Sequence, residues 1–449
     1  MLQEASLFNN LASAKRTKNE RQGVYAWHPY YAGYSEAFVV SAIKYLGLKS
    51  SDLLLDPWNG SGTTAFVASQ FEIPTLGCEI NPVMNIFSTA KSSYLIYQKE
   101  TLKNILEEIT NLFSALLAKK RNNTHIKTLD IPGISLDDDP LLDFMSESLC
   151  NGIRLLYLVL ESINYPKFDI SQKLFNSLKQ NDIKFNPFLN FFKAALFITA
   201  RQLAGYKGGS NPTWIKTLSN KPQVKKKEIL CQFEKTVNAM IKDLELSLIS
   251  ISDNIIHLPI QLDSRSLDIK NNSIDGIITS PPYLTRIDYA MSTKPEILII
   301  SNPKILRQIR ESMIGSPVIV DKNISVNPLW GKTCLQLLEQ VKQHRSKAAI
   351  SYYLPNMLQY FKDAELSLRE IIRVLKPNSK ALIVVQSSYF KEHEINLGKI
   401  YVEIAENLGV KSEIINREII RSHLAHVNTN SNRYKKNKVY LEDVVCITK

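Results

Sequence analysis

Two short segments of this chain concentrate residue types that can hold a small ligand and act on it. In the first, Leu53-Leu54-Leu55 runs into Asp56-Pro57-Trp58-Asn59-Gly60-Ser61-Gly62-Thr63-Thr64, an apolar strand that stops at a glycine turn and reopens as a helix. Such a turn lets backbone amides approach a ligand closely, and a carboxylate closing the next strand can take the hydroxyls of a ribose. Gly60, Gly62 and Glu79 stand at the right places for those jobs. A glycine turn of this kind also serves as a packing device or as a nucleotide site of another sort. Neither a Walker lysine nor the three-glycine dinucleotide spacing is present. In the second segment, Ile277-Ile278-Thr279-Ser280-Pro281-Pro282-Tyr283 sets a hydroxyl, two prolines and an aromatic ring directly after an apolar run. Doubly wound sheets place their sites there. The plainer alternative is a strand ended by prolines that cannot join a ladder.

The surrounding elements alternate as such a sheet requires. A helical pattern over Glu36 to Leu46, a strand over Asp52 to Leu55, a helix over Ala65 to Gln70 and a strand over Pro74 to Cys78 form one strand, turn, helix, strand unit. Between 91 and 252 apolar residues recur at helical spacing, as in Leu102, Ile105, Ile109 and Phe113, and again in Ile229, Phe233, Val237 and Met240. Strands return at Ile255 to Leu262 and Ile274 to Ile278. A helix is predicted over Asn356 to Leu375, a break at Lys376-Pro377-Asn378, a strand over Ala381 to Val385, and a last strand over Val439 to Ile447. The expected fold is α/β, a Rossmann-like sheet built from 23–90 and 253–449, with a mainly helical insertion at 91–252 and a poorly ordered polar arm at 1–22.

The first segment resembles the Asp-Pro-Phe-x-Gly-Ser-Gly-Thr motif by which amino-group DNA methyltransferases bind S-adenosylmethionine, with Trp58 where the family commonly has Phe. The resemblance implies that Asp56 meets the methionine amino group, that Gly60 and Gly62 line the cofactor, and that Pro57, Asn59 and Thr63 of the same turn belong to the cofactor site. It implies a ribose-binding role for Glu79 and a place near the adenine for Asp263 in Asp263-Ser264-Arg265. Trp27-His28-Pro29-Tyr30 is similar to the family's segment over the methionine end, which implies cofactor contacts for His28 and Tyr30; core packing before a helix would explain the same residues.

Ser280-Pro281-Pro282-Tyr283 resembles the (Ser/Asn/Asp)-Pro-Pro-(Tyr/Phe) motif of the same family. An aryl amine is a poor nucleophile because its lone pair is delocalised into the ring. An enzyme must hold the amino hydrogens with acceptors and free the lone pair for attack on the sulfonium methyl. Ser280 Oγ and the Pro281 carbonyl are the natural acceptors, and Tyr283 would stack on a base turned out of the duplex. The Ser form of the motif is associated with cytosine N4 and the Asp or Asn form with adenine N6. Carbon-5 methylation would need a cysteine after proline, and the chain has no Pro-Cys pair. An RNA amino-group methyltransferase would share the cofactor turn, usually with an acid in place of Ser280. A non-catalytic DNA-binding scaffold would have lost Asp56, Glu79 or Ser280.

Composition fits this picture. The chain has 449 residues, 44% hydrophobic and 22% charged, with a formal net charge of +12 that would attract a polyanion such as double-stranded DNA. No apolar run is long enough to cross a bilayer and the first residues are polar, so a cytoplasmic protein is expected. Cys78, Cys150, Cys231, Cys334 and Cys446 are scattered without paired spacing, which argues against disulfides or structural zinc. His423 and His426 lack a completing ligand nearby, so no metal is expected. Arg286 and the Tyr206-Lys207-Gly208-Gly209-Ser210-Asn211-Pro212-Thr213-Trp214 loop are candidate DNA contacts, against a structural Arg286–Asp288 pair and a plain surface turn. A cognate restriction nuclease is a possible partner.

Overall fold

The apolar runs read from the sequence become the inner strands of a seven-stranded sheet. The computed structural model describes residues 11–17, 20–29, 33–120, 138–180, 185–208, 215–247, 255–284, 287–420 and 438–449. The sheet is built from β1 (Leu54–Asp56), β2 (Thr75–Cys78), β3 (His257–Ile260), β4 (Ile274–Thr279), β5 (Leu375–Gln386), β6 (Lys411–Ile420) and β7 (Tyr440–Thr448). Their order is β3-β2-β1-β4-β5-β7-β6. The first five are parallel, and β7 runs antiparallel to both β5 and β6. The chain winds outward from β1 in both directions, so the crevice at the C-terminal ends of β1 and β4 is where this topology opens a ligand site.

Local chemistry sets the helices. Ser35 accepts from the Phe38 amide to start α1 (Glu36–Leu46), and Gly47 ends it in the left-handed conformation. α2 (Thr63–Ser69) follows the glycine turn, and α3 (Pro82–Ala90) begins on Asn81, whose side chain accepts from the Val83 amide. α1 and α2 cover one sheet face, Phe38, Val39, Ile43 and Val67 packing on Leu54, Ile278, Leu382 and Val384. On the other face Leu55, Leu76, Ile277 and Ile383 pack against the helices Gly331–Gln343, Leu354–Val374 and Leu397–Asn407.

Between β2 and β3 the chain forms the helices Lys99–Lys120, Glu147–Ser162, Pro187–Ala204 and Lys226–Leu246. Their apolar faces close one core with Val83, Met84 and Phe87 of α3 and with Ile297, Leu298 and Ile299. A buried pair also ties this region together. Arg154 donates from Nε and Nη2 to the two oxygens of Asp139, both at 2.9 Å, and from Nη1 to the carbonyls of Leu298 and Ile299 at 2.8 and 2.7 Å. Among the described residues no helix is long and apolar enough to cross a membrane. Cys78, Cys150, Cys334 and Cys446 are buried, and Cys231 is exposed.

Three expectations change. Residues 11–17 are docked rather than poorly ordered: the Ser35 amide donates to the Ala14 carbonyl at 2.9 Å, the Ser35 hydroxyl to the Ser13 carbonyl at 2.6 Å, and Ala14 is buried. Lys376-Pro377-Asn378 does not delay the strand, which starts at Leu375. The extra residues bulge out, because Ile274 faces Leu375 while Gly276 faces Lys380, and Asn378 takes a φ of +65°. β6 has no counterpart among the strands expected from the sequence. It is the outermost strand, and Lys411, Glu413, Arg417 and Glu418 blunt its edge and mask the strand pattern.

Candidate functional site

The glycine turn is braced from behind by close packing. Gly62 has a φ of +83°, and a Cβ there would lie 2.2 Å from Ser88 Oγ, so only glycine lets α2 start against α3. Asn59 donates from its backbone to the Cys78 carbonyl at 2.9 Å and from its side chain to Ser88 Oγ at 2.8 Å. Thr63 Oγ1 accepts from Arg16 at 2.7 Å. Buried Lys91 donates to the Ser61 carbonyl at 2.9 Å, and burial pulls its pKa down to about 7. Asn59, Gly62 and Thr63 therefore shape the turn and do not line the cleft in front of it.

Asp56 also sits behind the turn. Its Oδ1 accepts from Thr279 Oγ1 at 2.6 Å and the Trp58 amide at 3.1 Å, and its Oδ2 from Thr64 Oγ1 at 2.5 Å and Tyr34 OH at 2.9 Å. Burial pushes this carboxyl above its ordinary value and the bonds from Thr279, Thr64, Tyr34 and Trp58 oppose that. The methionine-amine role implied by the resemblance needs a carboxylate edge facing the ligand, and both oxygens are spent here on the strand ends, on Thr64 of α2 and on Tyr34.

In front of the turn lies an open cleft. Pro57, Trp58 and Glu79 form one side of it, Ser280, Pro281, Pro282 and Tyr283 the other, and Asp263 belongs to its wall. Glu79 Oε2 accepts from the Gly60 amide and Oε1 from the Asn81 amide, each at 2.9 Å. Burial nevertheless raises its pKa to about 7, the backbone bonds pulling the other way. Asp263 is held by Arg265 at 2.6 Å, and Arg265 also reaches Asp363 at 2.8 Å and the Ser312 carbonyl at 2.7 Å. Ser280 Oγ lies 3.1 Å from both the Val384 carbonyl and Tyr283 OH. The turn is fixed by Tyr360, whose hydroxyl donates to the Pro282 carbonyl at 2.9 Å.

The two segments thus share one cleft, and comparison with known proteins says what such a cleft belongs to. The type II methyltransferase M.BsoBI of Geobacillus stearothermophilus is 24% identical over 446 residues, covering 92% of this chain and 83% of that protein. The type II methyltransferase M.AvaI of Nostoc sp. is 23% identical, covering 91% of this chain and 83% of its own length. M.MjaII of Methanocaldococcus jannaschii, also a type II methyltransferase, is 24% identical over 63% of this chain. No family model matches the chain. Over most of its length the chain is therefore similar to type II DNA methyltransferases.

Not every residue that the sequence nominated faces this cleft. His28 is buried in a separate cavity with Trp27, Phe87 and Glu296. Tyr30, Arg286, residues 209–214, His423 and His426 lie outside the described residues. Conversely, Tyr289, Thr293, Met313 and Ile314 complete the cleft wall, and the sequence reading missed them. The signal that could have found them was Gly315. Its φ is +71°, and a Cβ there would come within 3.1 Å of the Tyr283 carbonyl, so the Ser312-Met313-Ile314-Gly315 run is folded hard against the proline corner.

Gly62→Ala is expected to destabilise the protein by about 2 kcal/mol, since it adds left-handed strain to a methyl placed on Ser88. Urea unfolding measures this, and an unchanged midpoint would mean that α2 and α3 can separate at no cost.

Proposed function

We propose that this methyltransferase transfers a methyl group from S-adenosylmethionine to the exocyclic amino nitrogen of cytosine, N4, in duplex DNA, as part of a restriction-modification or related defence system with a cognate nuclease. The observation that carries this is the shared cleft: Glu79 and Ser280 line the same space, and the Thr279–Asp56 bond of 2.6 Å ties the end of β4, which bears Ser280, to the end of β1, the strand paired with the one that bears Glu79.

The residues present fit the cofactor. The indole N–H of Trp58 is buried at the cleft with no partner among the described residues, and the Glu79 carboxylate borders the same cavity. Glu79 would hold the ribose hydroxyls, with Trp58 and Asp263 toward the adenine. When bound, S-adenosylmethionine supplies an electrophilic methyl on sulfur. The chain's own contribution is to orient the amine. Ser280 Oγ and the Pro281 carbonyl accept the amino hydrogens, Tyr283 stacks on the base, and the bonds from Arg265 and Tyr360 keep both walls still. As nitrogen takes the methyl from sulfur, it releases one proton past Ser280 Oγ to water, since neither a hydroxyl nor an amide carbonyl is basic enough to keep it. The Ser form of the motif favours cytosine over adenine. We assign target recognition to the helices at 91–252.

Transfer of labelled methyl to duplex DNA followed by nucleoside analysis tests the proposal. N4-methylcytidine is the expected product; N6-methyladenosine would move the assignment to adenine, and label on RNA alone would overturn the substrate. A second result is expected from Glu79. Its raised pKa means that the carboxylate forms only as pH rises through about 7. A ribose-holding acid then gives S-adenosylmethionine affinity that improves between pH 6 and pH 8, and Glu79→Gln should flatten that profile and weaken binding about tenfold. Isothermal titration across pH reads both, and a profile that keeps its slope in Glu79→Gln would assign the titration to another group.

A further inference from the structure

A second cavity lies beside α3, one helical turn from the cleft. Its walls are aromatic, formed by Trp27, Phe87 and Phe197. Trp27 is fixed by its indole N–H, which donates to Asp243 at 2.8 Å, and the Phe87 and Phe197 ring centres are 5.9 Å apart. Two polar side chains in this apolar setting have bonding capacity left over. His28 is 5% exposed, its ring centre is 5.0 Å from that of Phe87, and neither ring nitrogen has a partner among the described residues. Glu296 is 0% exposed. Its Oε1 accepts from Arg201 at 2.6 and 2.9 Å and from Tyr206 OH at 3.3 Å, whereas Oε2 accepts from none of them. Buried polar atoms are paired in the great majority of cases, so two unpaired ones facing a single cavity point to a ligand.

The chemistry of that ligand follows from charge. Arg201 already balances Glu296, so Oε2 suits a neutral N–H donor and not a cation. Burial, with Arg201 and Lys91 nearby, holds His28 well below its ordinary pKa, so its imidazole is neutral and offers one donor and one acceptor. A flat ring that carries an amino group beside a ring nitrogen, stacked between Phe and Trp faces, meets all of these demands.

We propose that this cavity binds an amino-bearing nucleobase, with Glu296 Oε2 accepting from the exocyclic amine and His28 bonding to the ring edge. Met84 of α3 and Thr293, the residue that caps the helix Lys294–Ile300, line the cleft, while Phe87 and Glu296, three residues further along, line this cavity. That offset is about 5 Å of helix. It favours a base turned out of DNA beside the methylated one over a free nucleoside. Only this choice of source rests on the proposed DNA substrate.

The test uses the full chain labelled with ¹⁵N at its seven histidines, with the His28 ring signals assigned by their loss in His28→Gln. Cytidine or adenosine is expected to shift the His28 signals saturably. Glu296→Gln should weaken that response about tenfold. Ile198→Trp, which fills the cavity while leaving Glu296 in place, should abolish it and keeps the test valid if Glu296→Gln fails to fold. A duplex oligonucleotide producing the same shift assigns the site to DNA, and nucleosides acting without the duplex assign it to the free base. No response at millimolar nucleoside overturns the proposal. So does a response to S-adenosylmethionine alone that neither nucleoside displaces. Methyl transfer is read on the same sample, so a protein that binds nucleoside at His28 yet methylates nothing would contradict the proposed function and leave this site standing.

Discussion

Ser280→Ala is expected to lower methyl transfer about 10²–10³-fold while S-adenosylmethionine affinity stays within about twofold. The hydroxyl has a single proton, and the Val384 carbonyl at 3.1 Å is placed to take it. With the proton so directed, Tyr283 OH at 3.1 Å can donate to one lone pair, and the other is left to accept from an amine in the cleft. Alanine removes that acceptor from the transition state, in which the N–H bonds are most polarised, and removes nothing from the Glu79 side. The fold should lose little, because Ser280 is half-buried and Tyr360 still anchors the corner through the Pro282 carbonyl. Ser280→Asn restores an acceptor and should recover part of the rate. Single-turnover transfer to duplex DNA, with titration of the cofactor, separates these effects. Equal rates for the parent protein and Ser280→Ala would take the hydroxyl out of the mechanism.

Much of the scaffold was legible because its signals are local. The Leu53-Leu54-Leu55 run and the positive-φ glycines at 60 and 62 act within a few residues of where they stand, and strand, turn and helix followed them. What was hidden depends on partners far along the chain. β6 reads as a charged surface stretch, since an edge strand carries polar residues where a central one carries Val and Ile. The docking of residues 11–17 rests on backbone bonds to Ser35, which no side-chain pattern announces. Met313 and Ile314 look like the end of an amphipathic helix until Gly315 folds them onto Tyr283. His28 was nominated by its motif, and only the arrival of Glu296 and Phe197 from distant segments shows that it borders a different cavity.

Asp56 presents the sharpest case of the same limit, and two substitutions at it should behave differently. The sequence offers a carboxylate next to a cofactor turn, which invites the idea of a charge partner for an ammonium. The structure gives that carboxylate four donors, one of them Thr279, 223 residues away, and buries it to 2% exposure. Asp56→Ala removes the acceptor of the Thr64 and Thr279 hydroxyls, while Tyr34 OH can still turn to Thr64 or to the Ile278 carbonyl, so the cost is about 3 kcal/mol in total after the relief of a buried charge is counted. Both strand ends should loosen together, lowering the unfolding midpoint, cofactor affinity and transfer at once. Asp56→Asn keeps the shape. Its amide nitrogen can sit at the Oδ2 position and donate to Thr64 or Tyr34, since a hydroxyl accepts as readily as it donates, while its oxygen keeps the bonds from Thr279 and Trp58. A brace therefore predicts that Asp56→Asn stays within about 1 kcal/mol of the parent and binds S-adenosylmethionine within about fivefold. A charge partner predicts the reverse pairing, a stable protein with cofactor binding reduced a hundredfold or more. Urea unfolding and isothermal titration on Asp56→Asn decide between them, because only the loss of charge with the shape retained separates a residue that holds the cofactor from one that holds the turn.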